Sequence, residues 1–248
     1  MSGPASESII AMVPARMGSE RLPAKNLALL RGKPLIAYAI RAAKAAGVFG
    51  RVVVNSEDDR LARVARRYGA EFYQRPASLA SSRTKSDDVV YDFLQHQPCE
   101  LLAWVNPIAP LQTGEEIRAV VEHFQAHALD SLVTVKEEQV HCVFHGRPIN
   151  FSRQGRFART QDLEPVSAFV YSVMMWRAAT FLRHFRHDGH ALLCGRVGYL
   201  PVSQLSAVIV KDREDLLMAE ALLRARRRVQ QGRVRYDRAA LTSSGARR

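Results

Sequence analysis

Between residues 12 and 26 the chain reads Met-Val-Pro-Ala-Arg-Met-Gly-Ser-Glu-Arg-Leu-Pro-Ala-Lys-Asn, which sets Arg16, Arg21 and Lys25 around a Gly18-Ser19 turn. A guanidinium can hold two phosphate oxygens through parallel hydrogen bonds, whereas an ammonium acts as a compact point charge. Gly18 carries no Cβ and Ser19 only a short hydroxyl, so backbone N–H groups at that turn can come close to an anion. Three cations on one short connection suit a polyphosphate better than a single carboxylate; a solvated basic loop is the alternative reading. A second cluster, His184, His187, Asp188 and His190, has imidazole and carboxylate groups at a spacing that could hold a transition metal. Its alternative is a helix end, where histidines complement the dipole or are simply exposed.

The element that must position the basic turn is the one in front of it. Ser8-Ile9-Ile10-Ala11-Met12-Val13 is a short apolar run closed by Pro14, the pattern of a parallel strand buried on both faces. Helical and strand-like segments then alternate. A helix is predicted over 34–46, opened by Pro34 and stopped by Gly47, followed by a strand over 51–54. Leu61, Val64, Ala65 and Tyr68 recur at helical spacing over 57–68, and Gly69 ends that helix. Strands over 71–74, 101–105 and 131–135 follow, with a helix over 87–95 and another introduced by the capping box Thr113-Gly114-Glu115-Glu116. This alternation predicts an α/β fold with a doubly wound, mostly parallel sheet. In such a sheet the residues just after the strands share one crevice. The rule gathers the basic turn, Asn55-Ser56-Glu57-Asp58, the loop from Arg75 to Ser86, and Asn106-Pro107. Asn106 could bond a pyrimidine or ribose edge, or serve only as the turn residue before Pro107. From Lys136 to Trp176 the alternation breaks down, and this stretch is expected to be an irregular insertion in which His141 and His145 share one face of a strand.

Composition narrows the remaining classes. A chain of 248 residues with 47% hydrophobic content can bury one sizeable core. No run of apolar residues is long enough for a membrane span and the first seven residues lack a secretion pattern, so a cytoplasmic protein is expected. Cys99, Cys142 and Cys194 are scattered and odd in number, which fits reduced thiols better than a disulfide framework or a zinc site. The net charge of +12 is concentrated at the end: Arg224 to Arg248 holds nine arginines against the single acid Asp237. Tyr236 is the one aromatic side chain among those arginines, too few to stack successive bases, so nucleic acid is not the expected partner. A dehydrogenase is excluded because no G-x-G-x-x-G follows the first strand.

The stretch from Pro14 to Asn26 resembles the signature loop of the acylneuraminate cytidylyltransferases and their relatives for 3-deoxy-octulosonate-type acids. That loop reads approximately P-A-R-x-G-S-K/T-x-x-P-x-K-N, and Arg16, Gly18, Ser19, Pro23, Lys25 and Asn26 stand at matching places. Gly32-Lys33-Pro34-Leu35-Ile36 is similar to the family's G-x-P-L-I helix start, and Asn106-Pro107-Ile108-Ala109-Pro110-Leu111 to its Q/N-P-T-x-P-L turn. Arg159-Thr160-Gln161-Asp162-Leu163 resembles its R-x-Q-D segment, so the likeness runs from about Ile9 to about Leu223.

The resemblance implies a nucleotide-diphospho-sugar transferase-like, Rossmann-like catalytic domain over 1–223. Its insertion, about 136–176, would serve sugar recognition and homodimer contacts, and 224–248 would be a basic helix end and tail. It implies transfer of CMP from CTP to a 2-keto sugar acid of the sialic, legionaminic, pseudaminic or Kdo type, with release of pyrophosphate. Arg16, Arg21 and Lys25 would then do the catalytic work on the triphosphate. Gly18, Ser19, Asn26, Arg75, Ser82 and Asn106 would join Arg16 and Lys25 in holding the nucleotide, and Arg159 and Gln161 would face the sugar acid. Mg²⁺ is the implied cofactor, held in the family by a D-x-D pair. Here Ile209 and Lys211 stand where those aspartates belong. A one-residue slip would bring in Asp212, whose alternative reading is an N-cap for the helix from Arg213. Glu20, Ile108 and Val166-Ser167 also depart from the pattern. Two further readings therefore stand beside an active cytidylyltransferase: a catalytically silent nucleotide-binding homologue, and an arginine-tail nucleic-acid binder.

Overall fold

The structure is a computed structural model that describes residues 8–231 and Tyr236. Its elements in chain order are β1 (Ile9–Pro14), β2 (Leu29–Leu30), β3 (Lys33–Pro34), α1 (Leu35–Ala46), β4 (Arg51–Ser56), α2 (Asp59–Arg67), β5 (Glu71–Gln74) and α3 (Ser86–His96). The second half adds β6 (Leu101–Val105), α4 (Gly114–Ala126), β7 (Ser131–Glu138), β8 (Val143–Phe144), β9 (Arg147–Pro148), β10 (Val166–Arg177), α5 (Ala178–Asp188), β11 (Val197–Pro201) and α6 (Arg213–Gln231).

Seven strands form one sheet in the order β11-β7-β10-β6-β1-β4-β5. The pairs β1–β4, β1–β6, β4–β5 and β11–β7 are parallel, and β10 runs antiparallel between β6 and β7. All six residues of β1 are buried, as expected for a central strand covered on both faces. Side chains alternate across a strand, so Ile9, Ala11 and Val13 face one core with Ile36, Ile40, Leu61, Ile117 and Phe124 of α1, α2 and α4. Ile10 and Met12 face the other, with Val90 and Phe93 of α3, Trp176, and Phe181 of α5. A third, smaller cluster sets Val210 and Ala219 against Leu30 and Leu35, which docks α6 beside β2.

From β1 the chain winds outward through α1 to β4 and through α2 to β5, whereas β6 lies on the other side of β1. The winding reverses between β1 and β6, which opens a crevice beyond their carboxyl ends. The first predicted elements lie close to their expected places: α1 ends at Gly47 in the left-handed region at φ 67°. The helix expected from 57 begins at Asp59, because Asp58 caps it by accepting from the Arg60 N–H.

The region expected to be irregular from 136 to 176 is shorter at both ends. Strand β7 extends to Glu138, and residues 166–177 form β10 inside the main sheet, with Trp176 fully buried. Only 139–165 lies outside the sheet, carrying the β8–β9 hairpin and a short 3-10 turn at Thr160–Asp162. The exposed N-terminal half of β10 and its reversed direction broke the parallel rhythm that the sequence reading followed. His141 and His145 do not share a strand. His145 occupies the hairpin turn at φ 47°, while His141 stacks on Phe157 with ring centroids 4.1 Å apart. Most of the terminal arginine stretch lies outside the described residues; within them α6 continues through Gln231 and Arg224 pairs with Glu220 at 2.9 Å. No helix of the described residues is long and apolar enough to cross a membrane.

The predicted capping box is present: Thr113 Oγ1 accepts from the Glu116 N–H at 3.1 Å, and Glu116 Oε2 accepts from the Thr113 N–H at 3.3 Å. Glu116 also accepts from the Ser203 N–H and from Ser206 Oγ, so the same carboxylate pins the loop after β11. Gly114 lets α4 touch the end of α1, since a Cβ there would lie 2.7 Å from both the Ala45 carbonyl carbon and the Ala46 nitrogen. Gly114→Ala should therefore cost roughly 1–3 kcal/mol by overpacking, and Thr113→Ala about 1 kcal/mol through the lost cap. Both are expected to lower the urea midpoint at constant slope. An unchanged midpoint for Gly114→Ala would show that the α1–α4 contact is looser than described.

Candidate active site

At the β1–β6 reversal a cleft of about 320 Å³ opens. Its walls come from three places that the crevice rule gathers: Arg16, Ser19, Glu20, Arg21, Lys25 and Asn26 after β1; Arg75, Ser81, Ser82 and Thr84 after β5; and Trp104, Asn106 and Ile108 around the end of β6. Four cations thus face the cleft with Glu20 as the one carboxylate of its lining.

Arg16, Arg21 and Lys25 are brought together because the connection after β1 is tied down at several points. Glu57, directly after β4, accepts from the Met17 N–H at 2.8 Å through Oε1 and from Arg75 Nη2 at 3.0 Å through Oε2. Arg75 is only 4% exposed, and its Nη2 also donates to the Ala15 carbonyl at 2.8 Å. Asn26 Nδ2 donates to the Arg16 carbonyl at 3.1 Å, closing the connection from its far end. Ala24 holds φ 50°, a left-handed conformation that is costly for a residue with a Cβ, and leads into the turn Lys25–Leu27.

Lys25 Nζ donates to the Val210 carbonyl at 3.2 Å. Burial lowers its proton affinity, and the neighbouring Arg21 and Arg16 lower it further, against partial compensation by Asp215 and Asp212. The cleft therefore stores like-charge repulsion that an anion would relieve. Three polar atoms at the cleft are buried without a partner: Asn26 Oδ1, Arg75 Nε and Trp104 Nε1.

The expected residues separate into groups. Arg16, Ser19, Arg21, Lys25, Asn26, Arg75, Ser82 and Asn106 all line the cleft. Gly18 does not, and a Cβ there would meet atoms no closer than 3.8 Å, so its lack of a side chain is not what shapes the loop. Arg75 spends Nη2 on Glu57 and Ala15, acting as a strut beneath the loop. Asn106 uses its amide on β10 and on its own turn, with Nδ2 donating to the Tyr171 carbonyl and Oδ1 accepting from the Ile108 N–H. Tyr171 sits at φ 52° where the register of β10 against β7 shifts between Phe169 and Met174.

Arg159 and Gln161 are not among the cleft's lining. Arg159 is on the surface turn Thr160–Asp162, with its Nε donating to Asp162 Oδ2 at 2.7 Å. Asp212 serves as the cap of α6: its Oδ1 accepts from the Asp215 N–H at 3.0 Å, while Asp215 Oδ2 accepts from the N–H groups of Lys211 and Asp212. Among the described residues no three His, Cys, Asp or Glu side chains converge on a metal position, and the donor set at the cleft does not fit a protein-held Mg²⁺ ion. The same holds for the histidine cluster, where His184 and His187 pair with Asp188 at the end of α5. The cysteines are free, with Cys194 buried and Cys99 and Cys142 half-buried.

Sequence reading placed Glu57 beside the crevice but gave it no task, and it passed over Trp104. The signal for Glu57 was its place immediately after a parallel strand; Trp104 hid among the apolar residues of β6.

The stored repulsion has a measurable sign. Lys25 in the folded chain releases its proton below the ordinary 10.5, so over that window the unfolded chain binds more protons and stability rises with pH. Lys25→Met is expected to abolish this rise and to raise the neutral-pH unfolding midpoint while weakening anion binding. Denaturation midpoints of parent and variant across the alkaline range check this, and parallel pH profiles would contradict it. Removing the strut's carboxylate partner acts oppositely: Glu57→Ala leaves the buried Arg75 guanidinium without its ion pair, at a cost of about 3 kcal/mol, read as a lower urea midpoint.

With this geometry in hand, the relatives are informative. The chain is 27% identical over 183 residues to an N-acylneuraminate cytidylyltransferase of Streptococcus agalactiae serotype V, covering 70% of this chain and 44% of that protein. It is 38% identical over 120 residues to a CMP-N,N'-diacetyllegionaminic acid synthase of Legionella pneumophila, covering 46% of this chain and 52% of that protein. The chain spans about half the length of the curated relatives it matches. Its fold matches a solved CMP:2-keto-3-deoxy-manno-octonic acid synthetase complexed with CTP, at a TM-score of 0.68 and 15% identity over 89% of this chain and 100% of that one. Residues 10–149, more than half of the chain, match the family model described as Cytidylyltransferase. The chain belongs to the cytidylyltransferase family.

Proposed function

We propose that this chain transfers CMP from CTP to a 2-keto sugar acid and releases pyrophosphate. The observation that carries the reading is the cation-lined cleft at the β1–β6 reversal, built from the part of the chain that the cytidylyltransferase model matches. The names of the relatives, an N-acylneuraminate cytidylyltransferase and a CMP-N,N'-diacetyllegionaminic acid synthase, support an acidic sugar as acceptor.

In this reading the acceptor's anomeric hydroxyl attacks the α-phosphorus. A new O–P bond forms, the Pα–O bond to the β-phosphate breaks, and the hydroxyl proton passes to solvent. Such a transfer asks the protein mainly to hold the two oxygens in line and to offset developing charge. Arg16, Arg21 and Lys25 would do the second task at the leaving pyrophosphate. Ser19, Asn26, Ser82 and Asn106 would position the nucleotide, with Trp104 Nε1 as a further donor, and Arg75 would hold the loop in shape. Arg159 and Gln161 are assigned to the acceptor's carboxylate. We further take residues 1–223 as one catalytic unit, working as a cytoplasmic homodimer; the exposed apolar residues Val143, Phe144, Ile149 and Phe157 outside the main sheet support a contact surface there.

A silent nucleotide-binding homologue is the second reading, favoured by Ile209 and Lys211. Pyrophosphate release from CTP, assayed over a panel of 2-keto sugar acids, separates the two. The proposal expects release with at least one acid and a fall of roughly 10²-fold in kcat/KM for Arg16→Ala or Arg21→Ala. CTP binding with no release across the panel would favour the silent homologue.

A further inference from the structure

The segment carrying Ile209 and Lys211 is tied to two residues of the cleft lining, Lys25 and Ile108, and its contacts bear on how charge is balanced there. The Val210 N–H donates to the Ile108 carbonyl at 2.8 Å, and Ile108 lines the cleft. The Val210 carbonyl accepts from Lys25 Nζ at 3.2 Å, so this segment meets the cleft with a carbonyl that already holds an ammonium. The carboxylates next in the chain, Asp212 and Asp215, accept from backbone N–H groups at the start of α6 and secure that helix. That leaves Glu20 as the carboxylate on the lining, against Arg16, Arg21, Lys25 and Arg75.

Resting on the CTP reading above, we infer that the cleft takes its nucleotide as the free triphosphate, with side-chain cations supplying the neutralisation and no divalent ion held by the protein. The physical reason is the sign of the local charge. Arg21 and Arg16 repel Lys25 in the cleft, with partial compensation from Asp215 and Asp212, and among the described residues Arg75 is the cleft cation that forms a salt bridge, with Glu57. A divalent cation entering on its own adds to this repulsion and meets no cluster of oxygen ligands. Free CTP brings more negative charge than its magnesium complex, so the cluster attracts the free form more strongly. Asn26 Oδ1, the buried acceptor without a partner, is a single neutral oxygen and does not make a cation cage.

The test is calorimetry of CTP binding to the full chain, once with excess EDTA and once with millimolar magnesium chloride at matched ionic strength. The inference expects the Kd in EDTA to equal that in magnesium within about twofold or to be lower. A Kd more than twofold higher in EDTA overturns it while leaving the CTP reading intact. Absence of heat in both buffers overturns the CTP reading and the inference with it. A double variant, Ile209→Asp with Lys211→Asp, gives the converse: the folded variant should bind CTP more tightly in magnesium than in EDTA, and the same metal response in the parent would again overturn the inference.

Discussion

Like charges held close together are the constraint on which this molecule's site depends. Arg16, Arg21 and Lys25 have no reason to gather on their own, and the burial of Lys25 makes their proximity costlier. They are kept together by a carboxylate they do not touch. Glu57 grips the Met17 backbone with one oxygen and the buried Arg75 with the other, and Arg75 in turn holds the Ala15 carbonyl. The fully buried β1 and the packing of α1 and α4 supply the rigid frame for this arrangement. Stability is thus traded locally for a pocket that attracts anions, as the strained φ of Ala24 beside Lys25 also indicates.

Most of the frame was legible in the sequence because its signals are local. Buried parallel strands read as short apolar runs, Gly47 marks a helix end, and Thr113 with Glu116 forms the box that the spacing announces. The failure came where the answer is non-local. Whether 166–177 is a loop or a strand depends on its partners β6 and β7, more than 25 residues away, and half of β10 is exposed there. Its neighbour, the β8–β9 hairpin, is too short for any periodicity to show.

The site was legible to the same degree and for the same reason. Residues that follow strands were gathered by topology, and eight of the nucleotide-side residues expected from the sequence line the cleft. Which of them touch a ligand and which brace the loop was not legible, because it turns on side-chain partners. Arg75 proves to be a strut, and Asn106 is occupied by its own turn and by the Tyr171 carbonyl. Asp212 illustrates the point from the other side: the capping alternative, a local signal, is the one its hydrogen bonds realise. The departures at Ile209 and Lys211 look like losses against the family pattern, yet they match a cleft whose charge balance is carried by Lys25 and two arginines.

The central claim, that the connection after β1 clasps a triphosphate, is tested most directly by a crystal structure of the chain soaked with CTP. The account predicts the phosphates against Arg16, Arg21 and Lys25, with Lys25 Nζ turned from the Val210 carbonyl toward a phosphate oxygen. A nucleotide bound elsewhere, or a cleft left empty at saturating CTP, would contradict it.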